Sequence, residues 1–243
     1  MRGNACTVSL DSSGNTLHKR GYRKRAGDAP LSEVLAAGLI RLSGWDPSVP
    51  LYDPMCGSGT IPIEAALLAT HTPAGFFRKD FGFMKWKNFD QGLWESVKKE
   101  ADEKIIPSEA QIRGADSSLR AIDGALMNLR YSGTGSLITL QKSGFHTTHP
   151  PYEKGLIIMN PPYDERLKLD DSVAFYRSIG DTLKKLYGGY QAWIISADLE
   201  AMKFIGLKPS KKIKIYNGPL ECRFMGYDLF KGTLKEHKSS NNL

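Results

Sequence analysis

Short apolar runs alternate with longer amphipathic stretches along most of this chain, a pattern that predicts an α/β fold. Strands are predicted at 49–53, 111–115, 137–140, 155–159 and 190–196, and helices at 30–43, 60–70, 118–131 and 172–187. Pro30 and Gly44 bracket the first helix, and Pro62 falls in the first turn of the second. A short helix near 198–205 precedes two runs, 213–216 and 222–230, that flank a hairpin turn at Asn217-Gly218-Pro219. Residues 6–22 alternate apolar and polar about Asp11-Ser12-Ser13-Gly14-Asn15, so an N-terminal β-hairpin is expected there. Strands alternating with helices imply a doubly wound, mostly parallel sheet whose ligands lie at the carboxyl ends of the strands. The stretch 71–107 breaks this rhythm and carries Phe76, Phe77, Phe81, Phe83, Trp86, Phe89 and Trp94. It is expected to be an insertion with its own core, the alternative being a base-stacking surface.

Two turns stand out at predicted strand ends. Asn160-Pro161-Pro162-Tyr163 follows the apolar run 155–159. Consecutive prolines cannot continue a sheet ladder, and each biases its predecessor toward extended backbone. Asn160 and the Pro161 carbonyl are thereby fixed as a pair of hydrogen-bond acceptors, suited to the two protons of an exocyclic amine on a base stacked against Tyr163. Asp53-Pro54-Met55-Cys56-Gly57-Ser58-Gly59-Thr60 runs from the first strand into the helix at 60–70. Its glycines allow tight backbone and close ligand approach, and free amides at a helix start suit a carboxylate. It has neither the lysine of a nucleoside-triphosphate loop nor the glycine spacing of a dinucleotide site. At the end of strand two, Asp116 is placed to accept hydrogen bonds from vicinal ribose hydroxyls, or else to cap the next helix with Ser117 and Ser118.

Composition narrows the class. The 243 residues, 41% of them hydrophobic, suffice for one sizeable domain. No apolar stretch approaches bilayer length and no signal-peptide core opens the chain, so a cytoplasmic location without membrane attachment is expected. Cys6, Cys56 and Cys222 form neither a disulfide framework nor a zinc cluster, and no metal is expected. The net charge is +7. Its excess gathers at Lys19, Arg20, Arg23, Lys24 and Arg25 and again at Lys208, Lys211, Lys212 and Lys214, which points to a polyanionic partner.

In this order the motifs resemble the class I S-adenosylmethionine-dependent amino methyltransferases. The resemblance is nearer to the catalytic domain of bacterial enzymes that methylate guanine N2 in 23S ribosomal RNA, a group carrying a THUMP RNA-binding domain. It covers nearly the whole chain. Besides the two turns it includes Leu17-His18-Lys19-Arg20-Gly21-Tyr22-Arg23, Ala29-Pro30-Leu31, Glu165-Arg166-Leu167 and Asn217-Gly218-Pro219-Leu220-Glu221-Cys222. The resemblance implies a seven-stranded Rossmann-like sheet over 29–234, in which the last hairpin adds an antiparallel strand, with a basic hairpin segment at 1–28, and the composition of 235–243 reads as a polar, disordered tail. It implies S-adenosylmethionine held by Pro30, Leu31, Asp53, Pro54, Cys56, Gly57, Ser58, Gly59, Thr60, Asp116, Ser117, Ser143 and Asn160. Catalysis falls to Asn160, Pro161, Pro162 and Tyr163, RNA contact to the first basic cluster with Lys211 and Lys212, and a THUMP domain is expected ahead of the hairpin. One feature departs from the pattern: relatives place an acid after strand three for the adenine amine, whereas this chain reads Lys142-Ser143-Gly144-Phe145.

The chemistry itself leaves three readings open. A guanine-N2 RNA methyltransferase comes first. An adenine-N6 DNA or RNA methyltransferase needs the same acceptor turn, so only the resemblance selects guanine. A nucleic-acid-binding module without catalysis would account for the missing acid. His146 and His149 read as loop residues, since nothing in the sequence pairs them with an orienting acid.

Overall fold

The computed structural model describes residues 3, 6–25, 31–162 and 169–231. Pro30, Tyr163 and the tail expected at 235–243 lie outside the described residues. Helix α1 (Glu33–Ser43) leads to β1 (Leu51–Asp53) and α2 (Thr60–Ala69). After the insertion, which holds a 3-10 turn at Gly82–Lys85 and α3 (Gln91–Asp102), come β2 (Ile112–Asp116), α4 (Leu119–Ser132), β3 (Ile138–Lys142) and β4 (Leu156–Met159). Helix α5 (Leu169–Leu186), β5 (Gln191–Ser196), a 3-10 turn (Ala201–Ile205) and the hairpin β6 (Lys211–Asn217) and β7 (Leu220–Asp228) complete the order.

The seven strands form one sheet in the order β3-β2-β1-β4-β5-β7-β6. The five from β3 to β5 are parallel. Strand β7 runs antiparallel to both β5 and β6, so the sheet is mixed and its non-parallel part is a hairpin rather than a single added strand. Chain order reverses between β1 and β4, the switch point where such sheets open a crevice at their carboxyl edge.

Side chains sort to two faces by the strand period of two. Leu51, Ile112, Leu156, Ile158, Trp193 and Ile195 share one core with α1, α2 and Leu129 of α4. Tyr52, Ala115, Ile157, Met159 and Ile194 share the other with Tyr176, Ile179 and Leu183 of α5 and the 3-10 turn after β5. Helix α2 is buried on all sides except at Leu68, as its apolar sequence requires of a helix enclosed by neighbours.

The expected N-terminal hairpin does not form: residues 6–25 contain no strand. The apolar positions on which the alternation rested have nothing to pack on, with Val8 86% and Leu10 78% exposed. Hydrogen bonds from outside hold the segment instead. Arg78 donates to the carbonyls of Ser13, Asn15 and Thr16, and the Phe83 amide donates to Ser12. Further along, Tyr22 is buried in the main core. The insertion at 71–107 does gather its rings, with Phe81, Phe83, Phe89 and Trp94 packed against one another. Yet no residue of it is fully buried, and Phe76 and Trp86 stay exposed.

Candidate active site

The strand register fixes the frame of the site. Asp53 pairs with Gly114, Tyr52 with Ile157, and Met159 with Ile194. Asp116 and Asn160 therefore stand two residues beyond the level of Asp53, on the strands either side of β1, about 10 Å apart by strand spacing. Counting by twos along each strand puts all three on the α1/α2/α4 face of the sheet. Strand β1 ends between them and turns into the glycine loop.

That loop is held from both sides. The Cys56 amide donates to the Ala115 carbonyl at 2.8 Å, and the Gly57 amide donates to Asp116 Oδ2 at 3.0 Å. Asp116 Oδ1 accepts from the Ser118 amide at 2.9 Å, while Ser118 itself caps α4 through Ala121. Asp116 thus braces the loop and the start of the next helix, and Ser117 beside it is exposed. Gly57 has φ 53° and a Cβ there would project into open space. Gly59 has φ 82°, and a Cβ there would stand 3.1 Å from that of Ala125, so only glycine lets α2 start this close to α4. Pro54, Ser58 and Thr60 are buried in the same turn, and no side chain caps the first amides of α2.

Asp53 is 1% exposed and accepts a hydrogen bond from the Met55 amide at 3.1 Å. Burial pushes its carboxyl well above the ordinary range, with the Asp116 charge adding to the rise and the Met55 amide opposing it. The Cys56 thiol is raised by burial, then by the same two acids, so it is an inert filler packed beside Gly114. Two carboxyls at the mouth of the loop make the crevice receptive to a cation.

The first basic cluster divides in two. Arg20 turns inward to Glu64 at 3.4 Å, and Tyr22 Oη donates to the same carboxylate at 3.0 Å. Burial raises the Glu64 carboxyl even though Arg20 pulls it down. Arg23 donates from Nε to Glu33 and from Nη2 to the Leu31 carbonyl and Thr60 Oγ1. Neither arginine offers the outward contact with RNA expected of it. The cause is Glu64 and Glu33, buried acids that need a cation. Lys19, Lys24 and Arg25 are exposed, as are Lys211 and Lys212 on β6.

One residue of this region has no counterpart in the sequence reading. Asn128 of α4 is 1% exposed and uses its whole amide. Its Oδ1 accepts from the Lys24 and Arg25 amides at 2.8 and 3.0 Å, and its Nδ2 donates to the Arg25 and Ser58 carbonyls at 2.8 and 3.0 Å. It ties the 24–25 segment to the glycine loop. The signal available was a polar residue on the apolar face set by Ala125, Leu129 and Ser132.

At the end of β4, Asn160 Oδ1 is closed to solvent and meets no donor among the described residues. Pro161 is buried and Pro162 exposed. Beyond β3, Ser143 is held by its amide on the Asp116 carbonyl, and its hydroxyl accepts from Gln141 at 3.0 Å. His146 bonds Thr182 through Nδ1 and has no acid bonded to it among the described residues, and its desolvation lowers its pKa, consistent with a loop residue. Among the described residues no cluster of His, Cys, Asp and Glu could hold a metal, and no helix is long and apolar enough to cross a membrane.

An amide oxygen shut away without a donor among the described residues, a glycine whose Cβ would meet only open space, and two carboxyls together fit a cationic nucleoside cofactor facing an amine. The chain is similar to proteins described as methyltransferases. The Synechocystis protein slr0064, named as a candidate RNA methyltransferase, is 39% identical over 229 residues, 93% of this chain and 60% of its own. The crystal structure of SMU.472, a candidate methyltransferase complexed with SAH, superposes at TM-score 0.83 with 34% identity, covering 92% of this chain and 58% of the other. A predicted N6-adenine-specific DNA methylase from Listeria monocytogenes str. 4b F2365 superposes at 0.80 with 34% identity, covering 90% and 57%. The chain spans about three-fifths of the length of these relatives. The family model for the RMKL-like methyltransferase domain, UPF0020, matches residues 20–225, from Arg20 in the inward-turned basic segment to the last strand of the sheet: the chain belongs to that family.

Proposed function

We propose that this chain is the catalytic domain of an S-adenosylmethionine-dependent RNA methyltransferase that modifies an exocyclic base amine, with guanine N2 in 23S ribosomal RNA as its target. The observation that carries this reading is the buried Asn160 Oδ1, without a donor among the described residues, at the strand end beside the glycine loop. A buried acceptor left unpaired costs about 1–3 kcal/mol, which a substrate amine would recover on binding. The SAH complex of SMU.472, at 34% identity, supports the cofactor, and the slr0064 relative supports RNA as the substrate.

In this reading Asp116 serves the ribose hydroxyls, Asp53 faces the ammonium group, and Gly57, Ser58, Gly59 and Thr60 with Leu31 surround the amino-acid end. Ser117 borders the pocket. Ser143 keeps a lone pair for the adenine amine in place of the acid found in relatives. When bound, S-adenosylmethionine supplies a methyl carbon on a sulfonium sulfur that keeps the electron pair of the broken bond. Asn160 Oδ1 and the Pro161 carbonyl accept the two amine protons, which turns the nitrogen lone pair toward the methyl carbon. Tyr163 stacks on the extruded base, and one amine proton leaves to water after transfer.

Adenine N6 is the second reading, and the Listeria relative described as an N6-adenine-specific DNA methylase favours it. An inert binding module would have no use for an oriented, unpaired amide at Asn160. Nucleoside mass spectrometry of ribosomal RNA with and without the active protein separates the three. N2-methylguanine that depends on the protein upholds the proposal, N6-methyladenine replaces it with the second reading, and no change in either base overturns both.

A further inference from the structure

Arg23 is committed more deeply than a structural ion pair requires. Its Nε donates to Glu33 at 3.1 Å, and its Nη2 donates to the Leu31 carbonyl at 2.7 Å and to Thr60 Oγ1 at 3.1 Å. The remaining nitrogen, Nη1, is closed to solvent and meets no acceptor among the described residues. The side chain as a whole is 14% exposed. A guanidinium cannot shed its proton to escape such a position, so two N–H groups of a permanent cation are shut away unpaired. Buried donors in folded proteins are nearly always matched, and an exception calls for a partner.

The position of the group says what the partner is. Thr60 is the first residue of α2, directly after Gly59. Leu31, whose carbonyl shares Nη2 with Thr60, stands just before α1. The glycine loop beside it leaves open space at Gly57. The two neighbouring acids of the site, Asp53 and Asp116, serve cations and hydroxyls, which leaves the anionic end of an amino-acid ligand without a cationic partner among them.

We propose that Arg23 binds the carboxylate of the cofactor's methionyl end through Nη1. Glu33 and Thr60 are positioning residues: by occupying Nε and Nη2 they fix the plane of the fork and leave one arm for the ligand. The proposal rests on the S-adenosylmethionine reading above and adds to it a residue whose charge looked, in the sequence, like part of an RNA-binding patch.

The test compares two ligands that differ by the carboxylate alone, S-adenosylmethionine and decarboxylated S-adenosylmethionine. Their affinities are measured by calorimetry on the wild-type chain, Arg23→Met and Arg23→Lys. The expected result is that Arg23→Met weakens S-adenosylmethionine at least tenfold and leaves the decarboxylated ligand within about twofold, because a lost charged contact affects only the ligand that makes it. Arg23→Lys keeps a cation for Glu33 and so protects the fold, but cannot reproduce three separate contacts; the same split, smaller in size, is expected. If Arg23→Met does not fold, Arg23→Lys decides alone. Equal losses for both ligands would make Arg23 a brace of the pocket and overturn the proposal, and unchanged affinity for both would do the same. Failure of the wild-type chain to bind either ligand would instead overturn the cofactor reading on which the proposal stands.

Discussion

In the proposed mechanism Asn160 is the residue on which the chemistry turns. Its amide oxygen is buried at a strand end and unpaired among the described residues, a state with no structural benefit of its own. Asn160→Ala should lower single-turnover methyl transfer on the order of a hundredfold or more, the usual loss for one oriented electrostatic contact, with cofactor affinity changed by less than about threefold. Asp116 differs, because it both braces Gly57 and stands where ribose is expected. Asp116→Ala should weaken S-adenosylmethionine and its decarboxylated analogue alike, a pattern that calorimetry distinguishes from the carboxylate-specific loss at Arg23. Asp53 gives a pH signature. Its folded pKa lies well above the unfolded value through burial, so its contribution to stability is full below the unfolded pKa and is lost as pH rises through the folded one. Thermal melts of the cofactor-free protein from acid to neutral pH should therefore show Asp53→Asn gaining on wild type as pH rises. A gap that shrinks with pH would mean that the carboxylate is compensated in the folded state.

Among elements, the clip formed by Arg20, Tyr22 and Glu64 is what holds the strandless N-terminal segment against α2. Arg20→Met leaves the Glu64 carboxylate buried with only the tyrosine hydroxyl. A loss of about 1.5–3 kcal/mol is expected, appearing as faster amide exchange at 22–25 before any change in the sheet. The same segment shows where reading the sequence stops. The strands, helices and last hairpin were legible because period and turn residues are local signals, and the two turns at strand ends were legible because proline and glycine restrict backbone wherever they stand. Residues 6–22 gave an alternating pattern, but alternation makes a hairpin only if one face finds a core, and Val8 and Leu10 find none. What orders the segment is contact over long separations, Arg20 with Glu64 and Lys24 with Asn128, and no local pattern carries that. The basic cluster misled for the same reason. Charge is visible in a sequence, whereas the buried acids that turn Arg20 and Arg23 inward become visible only in the fold.

At the scale of the whole molecule, the two basic clusters keep Lys19, Lys24 and Arg25 exposed at one end of the chain and Lys208, Lys211, Lys212 and Lys214 near the other. Contacts of exposed lysines with phosphate are independent of sequence and fall steeply with salt. Removing Lys211 and Lys212 together by alanine substitution should lower affinity for ribosomal RNA at fixed salt and flatten the slope of log affinity against log salt by roughly 1.5 to 2 units, with cofactor affinity unchanged. Arg20 and Arg23, though counted in the same net charge of +7, should leave that slope untouched when replaced by methionine, because their charge is already matched by Glu64 and Glu33. A slope that responds equally to the arginines would mean that the N-terminal segment lifts off the core to meet the RNA. Selectivity is a separate matter, since in the proposed mechanism the acceptor turn recognises one base and the lysines none. The relatives extend well beyond the matched part, which is 60% of slr0064. We expect the whole relative to methylate protein-free ribosomal RNA faster and at fewer positions than its matched segment at the same salt concentration. Equal rate and equal site selectivity would show that the methyltransferase domain finds its target unaided.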